Sequence, residues 1–182
     1  MNLVLDCMKL GIIFSGFRKS KQGGLGLDRD YDVIVIGSGA AGLSAAISAA
    51  DSGASVLICE SEQVVGGSSR LSGGHFYAAG TSVQKKAGVL DDTADDMYEH
   101  YMTLNQWKVD PRIVRKYCDL SAPTFEWLVD LGVQFLPEGV YPSGVSSVPR
   151  GHQPGGGGQE VINTLDGHRS HKNVDIVLDA RV

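Results

Sequence analysis

The residues from Gly37 to Gly42 read Gly-Ser-Gly-Ala-Ala-Gly, a spacing that could bind phosphate. In such a turn between a strand and a helix, the first glycine permits a tight turn, the second lets backbone N–H groups approach a pyrophosphate, and the third allows close packing of the helix on the strand. The positive end of the helix dipole favours the phosphate charge. We therefore predict a pyrophosphate site made by six consecutive residues: Gly37, Ser38, Gly39, Ala40, Ala41 and Gly42.

Glu60 is the second candidate, and it lies 18 residues after Gly42 at the end of an apolar run. A carboxylate in that position accepts hydrogen bonds from the ribose hydroxyls of a dinucleotide and disfavours the 2′-phosphate of NADP. The glycine pattern alone is weak evidence, but in this context it predicts a dinucleotide site. The alternative interpretation is a glycine turn followed by a solvated surface glutamate.

The segments around these residues are the ones that would position such a site. Tyr31 to Ile36 is a β-branched run, which predicts a strand buried on both faces of a parallel sheet. Leu43 to Ala50 predicts a helix that ends near Gly53, and Ala54 to Cys59 predicts a second strand. Parallel strands joined through a helix form a βαβ unit. The predicted fold class is therefore α/β and Rossmann-like.

The remainder of the chain continues this mixed pattern. It predicts three helices, an irregular segment rich in Pro, Gly and Ser, a fourth helix and a final strand. In chain order these are Thr93–Leu104, Asp110–Leu120, a separate helix capped by Ser121 and running through Leu131, Pro137–Gly158, Gln159–Asp166 and Val174–Leu178.

Composition excludes several function classes. A formal net charge of −5 gives no broad positive field, so we expect no nucleic acid partner. No stretch approaches the roughly 20 apolar residues of a membrane-spanning helix. The three cysteines, Cys7, Cys59 and Cys118, are far apart and include no Cys-x-x-Cys pair. This predicts no metal site and a reducing, cytoplasmic location.

Three segments together resemble the N-terminal part of the fumarate reductase and 3-ketosteroid dehydrogenase flavoprotein family. They are Tyr31 to Gly42, Glu60, and the run Gly66-Gly-Ser-Ser-Arg-Leu-Ser-Gly-Gly74. The resemblance extends over about Asp30 to Val182. It implies FAD rather than NAD, because in that family the loop after the glutamate continues along the cofactor towards the flavin. It also implies further cofactor contacts from Gly67, Ser68, Ser69, Ser72, Gly73 and Gly74.

The loop from Gly66 to Gly74 also indicates whether FAD is attached covalently. Family members of the respiratory complex type attach FAD through a histidine a few residues before the glycines that match Gly73 and Gly74. This sequence has Gly66, Gly67 and Ser68 there, and a histidine only after the pair. The resemblance therefore implies non-covalent FAD. The alternative for the loop is a compact Ω-loop whose glycines serve packing alone.

Arg150-Gly-His-Gln-Pro-Gly-Gly-Gly-Gly158 resembles a family segment that precedes a helix near the substrate cleft. Arg150 and His152 are candidates to meet a substrate carboxylate or carbonyl, and the glycines could leave N–H groups for an anion at the helix start. A flexible surface loop is the alternative interpretation.

The resemblance implies an FAD-dependent oxidoreductase acting on a carbon–carbon bond next to a carbonyl or carboxylate. The expected partners are a small substrate, a steroid-like ketone or a dicarboxylate, and an electron donor or acceptor. We expect residues 1–28 to be a disordered extension and 29–182 to be the first part of an FAD-binding domain without its cap domain. Catalytic residues are unknown, and the piece by itself is expected to be truncated, inactive and poorly soluble. The alternatives are an NAD-binding dehydrogenase and a non-catalytic nucleotide-binding or partner-binding fragment.

Overall fold

The computed structural model describes residues 30–182, so the extension predicted over residues 1–28 lies outside the described residues. The chain divides into two compact units. Among the described residues, the first contains 30–71 together with Ile162–Val182, and the second is Ser72–Val161.

The first unit is built on a parallel sheet of three strands in the order β1-β2-β6. These are β1 (Val33–Ile36), β2 (Val56–Cys59) and β6 (Val174–Val177). Val56 pairs with Val33 on one side and with Val174 on the other. The side chains of Val56, Leu57 and Ile58 are buried, as an uncharged apolar run at the centre of a parallel sheet predicts.

Helix α1 (Ala40–Asp51) connects β1 to β2 and buries Leu43, Ala46, Ile47 and Ala49. It begins directly after Gly39, and Ser52 caps its end. Gly53 then has φ +91°, a conformation that glycine adopts at low cost. The predicted α/β class and βαβ unit are therefore confirmed. A 3₁₀ helix, Gly67–Leu71, completes this part of the unit.

The second unit combines an antiparallel sheet with helices. The sheet has the order β3-β5-β4, made by β3 (Phe76–Tyr77), β5 (Gly151–Pro154) and β4 (Phe135–Tyr141). The helices are α2 (Ser82–Lys86), α3 (Ala94–Leu104), α4 (Pro111–Asp130) and the start of α5 (Gly157–Ser170). The ring of Phe125 packs 4.5 Å from that of Phe135 and 4.3 Å from that of His152, measured between centroids.

Two sequence expectations are wrong in this unit. Ser121 does not cap a new helix, because α4 runs through it without a break, from its N-cap Asp110 to Asp130. The four residues that α4 buries, Cys118, Ser121, Phe125 and Leu128, form one stripe at helical spacing. Pro123 removes one backbone donor inside this helix, and the stripe keeps the helix continuous.

The segment from Pro137 to Gly158 is not irregular throughout, since it contains most of β4 and all of β5. The pairing of these strands shifts register between Phe135 and Val140. A Cβ added at Gly139 would lie 2.9 Å from the carbonyl oxygen of Gln153, so the close strand approach there depends on glycine. A bulged strand lacks the strict alternation by which strands are recognised in sequence.

Within residues 30–182, every helix is either too short or too polar to cross a lipid bilayer.

Candidate functional site

The three glycines of the first turn differ in what the first unit requires of them. Gly37 has φ +88°, and a Cβ at Gly42 would lie 2.0 Å from the carbonyl oxygen of Gly37. Turn geometry therefore demands the first glycine and helix packing demands the third. A Cβ at Gly39 would approach no atom closer than Ser69 Oγ, at 3.5 Å. Protein packing alone gives no reason for glycine at position 39, whereas close approach of a ligand does.

Backbone donors gather beside this open position. The first N–H groups of a helix have no acceptor within the helix. In α1 the N–H of Ala40 donates to Ser69 Oγ at 3.2 Å, and the N–H of Leu43 donates to the Gly39 carbonyl. The N–H groups of Ala41 and Gly42 have no protein acceptor in the described part of the chain. These donors and the open position at Gly39 fit a pyrophosphate.

Glu60 directly follows β2 with its side chain buried, only 4% of the residue being exposed. Its Oε2 accepts hydrogen bonds from the N–H and Oγ of Ser38 at 2.7 and 2.5 Å. Its Oε1 accepts from the N–H of Glu62 at 2.9 Å and from Ser61 Oγ at 3.3 Å. Burial by itself would raise the pKa of Glu60, but these hydrogen bonds outweigh it and lower the pKa to about 2.

Each carboxylate oxygen of Glu60 thus already accepts two hydrogen bonds. A ribose hydroxyl would have to replace one of these donors, and Ser61 Oγ holds the longest of the four contacts. The assignment of Glu60 to the ribose stays a prediction, as does that of Ser38, whose N–H and hydroxyl both face Glu60. A serine between two glycines carries no sequence signal for this bond.

The segment after Gly66 lies against the start of α1. Gly66 has φ +114°, and a Cβ there would lie 2.8 Å from Ile162 Cγ2. A Cβ at Gly67 would lie 4.0 Å from Gly39 Cα, and Ser69 Oγ accepts from Ala40. The first unit therefore brings Gly67 and Ser69 to the predicted pyrophosphate site, while Ser68 is exposed.

In the second unit, Ser72 to Gly74 lies against the first residues of α5. Gly74 has φ +69°, and a Cβ there would lie 2.6 Å from the nitrogen of Gly158. That nitrogen donates to the Ser72 carbonyl at 3.0 Å. Only glycine fits at position 74 for reasons of packing, so this loop has a structural role whether or not it contacts a flavin.

The glycine run before α5 does not leave all its donors open, contrary to the expectation of a free anion site. Glu160 in the first turn accepts from the N–H of Gly156 at 2.5 Å and from the N–H of Gln134 at 2.7 Å. A carboxylate of the protein itself therefore occupies the positive end of this helix.

Arg150 is buried and forms a bidentate ion pair with Asp92. Its Nε lies 3.0 and 2.9 Å from the two carboxylate oxygens, and a terminal nitrogen lies 2.6 Å from Oδ1. The exposed fractions of the two side chains are 6% and 2%. Gln84 Nε2 also donates to Asp92 at 2.9 Å, so the pair belongs to a larger buried network. A substrate carboxylate would have to compete with Asp92 for Arg150.

His152 is fully buried and is likewise bound within the second unit. Its Nδ1 lies 2.9 Å from the Arg150 carbonyl and 3.2 Å from the Phe76 carbonyl, so that nitrogen must carry the proton. Its Nε2 then accepts from Thr81 Oγ1 at 2.8 Å. Burial is the largest influence on the pKa of His152 and lowers it, which favours the neutral ring. The substrate roles of Arg150 and His152 stay predictions.

The partners that hold these two side chains were not predicted from the sequence. Asp92, Thr81 and Gln84 lie far from Arg150 and His152 in sequence, and Thr81 with Gln84 forms the capping box of α2. The capping pattern itself is visible in sequence. The hydrogen bond between Thr81 and His152 cannot be recognised in the sequence, because it depends on tertiary contacts. Among residues 30–182, no cluster of His, Cys, Asp or Glu is suited to hold a metal ion.

The sequence model of the FAD binding domain matches residues 32–176, which is most of the chain. The chain belongs to the FAD binding domain family. This membership confirms FAD, rather than NAD, as the cofactor of the βαβ unit.

Several relatives of this FAD binding domain are reductases. The chain is 38% identical over 153 residues to fumarate reductase (cytochrome) of Shewanella frigidimarina, covering 82% of this chain and 26% of that protein. It is 40% identical over 133 residues to vinyl phenol reductase of Lactiplantibacillus plantarum, covering 73% and 26%. The chain thus spans about a quarter of the length of these curated relatives.

Solved structures agree with these relatives. The 3-ketosteroid-Δ4-(5α)-dehydrogenase of Rhodococcus jostii matches with a TM-score of 0.78 and 31% identity, covering 85% of this chain and 39% of that one. The open conformation of a flavocytochrome c3 fumarate reductase matches with a TM-score of 0.74 and 32% identity, covering 82% and 26%. The resemblance to fumarate reductase and ketosteroid dehydrogenase flavoproteins is confirmed.

Proposed function

We propose that this chain is the nucleotide-binding part of an FAD-dependent oxidoreductase that acts on a carbon–carbon bond next to a carbonyl or carboxylate. The observation that carries the proposal is the open position at Gly39. A glycine that packing does not require lies beside the N–H groups of Ala41 and Gly42, which have no protein acceptor among the described residues. Glu60, kept ionised at the end of β2, stands where a ribose-binding acid is expected.

In this proposal each part of the first unit has a separate task. The N-terminal donors of α1 bind the pyrophosphate, and Ser68 and Ser69 contact the pyrophosphate or ribitol. Glu60 receives the ribose hydroxyls when they displace Ser61 Oγ. In the second unit, the backbone of Ser72, Gly73 and Gly74 contacts the isoalloxazine.

Bound FAD would exchange hydride with substrate carbon at the flavin N5. The protein must orient the substrate and supply a proton donor or acceptor within hydrogen-bond reach. We propose a steroid-like ketone or a dicarboxylate as substrate, since relatives are named for fumarate and for a ketosteroid. The electron partner and the catalytic residues are not assigned. The cytoplasmic location remains a prediction from the cysteine pattern.

Non-covalent attachment of FAD belongs to the proposal as well. His75, the histidine next to the Gly73–Gly74 pair, hydrogen-bonds through Nδ1 to Tyr141 Oη at 2.8 Å. Flavin released by denaturation in trichloroacetic acid would support non-covalent binding, and flavin that stays with the precipitated protein would refute it.

The test is a titration of the purified chain with FAD, followed by quenching of flavin fluorescence. We expect saturable binding by the natural chain and its loss in Gly39→Val, because the added side chain fills the position reserved for the pyrophosphate. Gly167→Ala is the matched control. A Cβ there meets nothing within 4 Å, so FAD affinity should be unchanged. A folded chain that does not bind FAD, or a Gly39→Val variant that binds as tightly as the natural chain, would refute the proposal.

A further inference from the structure

Ser38 lies between the first two glycines of the turn, and its side chain is fully buried. Its Oγ is 2.5 Å from Glu60 Oε2 and 3.1 Å from the backbone nitrogen of Gly66. An ionised carboxylate can only accept hydrogen bonds. The Ser38 hydroxyl must therefore donate its single proton to Glu60 and accept the N–H of Gly66.

This arrangement makes Ser38 the residue that connects Glu60 to the rest of the site. The backbone N–H of Ser38 donates to the same carboxylate oxygen at 2.7 Å. The other donors to that carboxylate in residues 30–182 come from its immediate neighbours, Ser61 and Glu62. Within the described residues, Ser38 alone reaches the Glu60 carboxylate from a different loop of the first unit, while the main chain of Glu60 is bonded to Val177 and Ala180.

Gly66, which donates its N–H to the Ser38 hydroxyl, is closely packed. It is buried, and a Cβ there would lie 2.8 Å from Ile162 Cγ2 and 3.0 Å from Arg70 Cβ. The segment that begins at Gly66 also carries Ser69, whose Oγ contacts the start of α1. One hydroxyl group thus joins the end of β2, the glycine turn and the segment over the predicted pyrophosphate site.

We propose that Ser38 is a positioning residue of the FAD site, whose hydroxyl sets the Glu60 carboxylate for the adenosine ribose and ties it to the Gly66 segment without itself contacting the nucleotide. This inference rests on the proposed function. It differs from the expectation that Ser38 contacts the pyrophosphate, because the N–H and hydroxyl of Ser38 are both directed to Glu60.

Recognition of the ribose can be measured separately from overall affinity. The ratio of the dissociation constants of 2′-deoxy-ADP and ADP reports the contact to the 2′-hydroxyl alone. A hydrogen bond to a charged group contributes enough for the natural chain to favour ADP about tenfold or more. Ser38→Ala keeps the backbone N–H that donates to Glu60 but removes the hydroxyl that joins the carboxylate to the Gly66 segment, so this ratio should fall towards one. A purely structural role of Ser38 would weaken both ligands equally and leave the ratio unchanged.

Two further variants complete the design. Ser61→Ala also removes a hydroxyl from Glu60, but it is the one that the ribose would displace and it reaches no other loop, so its ratio should be no lower than that of the natural chain. Ser38→Cys fills nearly the same space but has only a weak donor, so the ratio of the two dissociation constants should fall towards one in this variant as well. It provides the test if Ser38→Ala does not fold. In a Glu60→Gln background, Ser38→Ala should cause no additional loss of discrimination, because the two residues act together.

The outcomes separate the two proposals. If the folded natural chain binds neither FAD nor ADP, the proposed function fails and this inference fails with it. If the natural chain binds with a ratio near ten and Ser38→Ala or Ser38→Cys keeps that ratio, only the positioning role of Ser38 is refuted.

Discussion

Replacement of Gly42 by alanine tests whether the third glycine serves packing, as the geometry of the first unit indicates. The added Cβ would lie 2.0 Å from the carbonyl oxygen of Gly37 and 3.0 Å from its carbonyl carbon. Non-bonded heavy atoms prefer a separation of about 3.5 Å or more. The overlap of about 1.5 Å is with backbone in a tight turn, which cannot rotate away as a side chain could.

Overpacking of this kind costs about 1 to 3 kcal/mol, and a backbone overlap of this size belongs at the upper end. We therefore expect Gly42→Ala to lower the free energy of unfolding by about 3 kcal/mol. Gly39→Ala is the matched comparison, because its Cβ would approach nothing closer than 3.5 Å. Loss of an N-cap glycine should cost about 1 kcal/mol or less. Gly167→Ala, inside α5, should be stabilising by about 0.5 kcal/mol.

Urea unfolding followed by circular dichroism, with FAD titration of each variant, measures both effects. The expected pattern is a large stability loss for Gly42→Ala and a large affinity loss with little stability loss for Gly39→Ala. Unfolding of Gly42→Ala at the same urea concentration as Gly39→Ala would show that packing does not require the third glycine. Parallel losses of stability and affinity in both variants would show that the two glycines have the same role.

Two further predictions concern the buried network of the second unit. Because burial lowers the pKa of His152, the unfolded state takes up a proton that the folded state resists. The free energy of unfolding should therefore be greatest above about pH 6.5, the ordinary pKa of histidine, and should fall as the pH decreases below that value. The urea concentration at the midpoint of unfolding, measured between pH 8 and about pH 5.5, checks this prediction. His152→Asn should remove much of the dependence of the midpoint on pH. An unchanged dependence in that variant would contradict the assignment to His152. Asp92→Asn should destabilise by about 3 kcal/mol because it leaves the Arg150 charge buried without its partner. Pairing it with Arg150→Met should recover most of that loss in thermal unfolding, and a double variant no more stable than Asp92→Asn would show that the ion pair is not the cause.

The glycine turn was predictable from sequence because its chemistry is local. Gly37 needs a positive φ, Gly39 needs open space and Gly42 needs contact with the preceding turn, and all three demands arise within six residues. The end of the uncharged run from Ala54 to Cys59 likewise locates Glu60, since buried parallel strands have apolar, uncharged sequences. For these reasons the βαβ unit and the positions of its elements were correctly predicted. The expectation that the first strand is buried on both faces was wrong, since β1 is only partly buried and Ile36 is 54% exposed.

The features that were not predicted from the sequence depend on contacts between residues that are distant in the chain. Helix α4 continues through Ser121 because one buried stripe from Cys118 to Leu128 packs within the second unit, although a serine followed by Pro123 is typical of a helix start. Strands β4 and β5 exist because they pair with each other, and the bulge between Phe135 and Val140 hides their alternation.

The same distinction applies to the side chains of the site. The residue types of Arg150 and His152 indicated polar recognition, but the sequence could not tell whether a ligand or the protein would satisfy them. The tertiary structure supplies Asp92 and Thr81 as partners. Sequence by itself determined which backbone could approach a phosphate, because that is set by local sterics. Only the tertiary structure decided which buried polar groups are already paired, because pairing depends on what the fold places within 3 Å or so of each one.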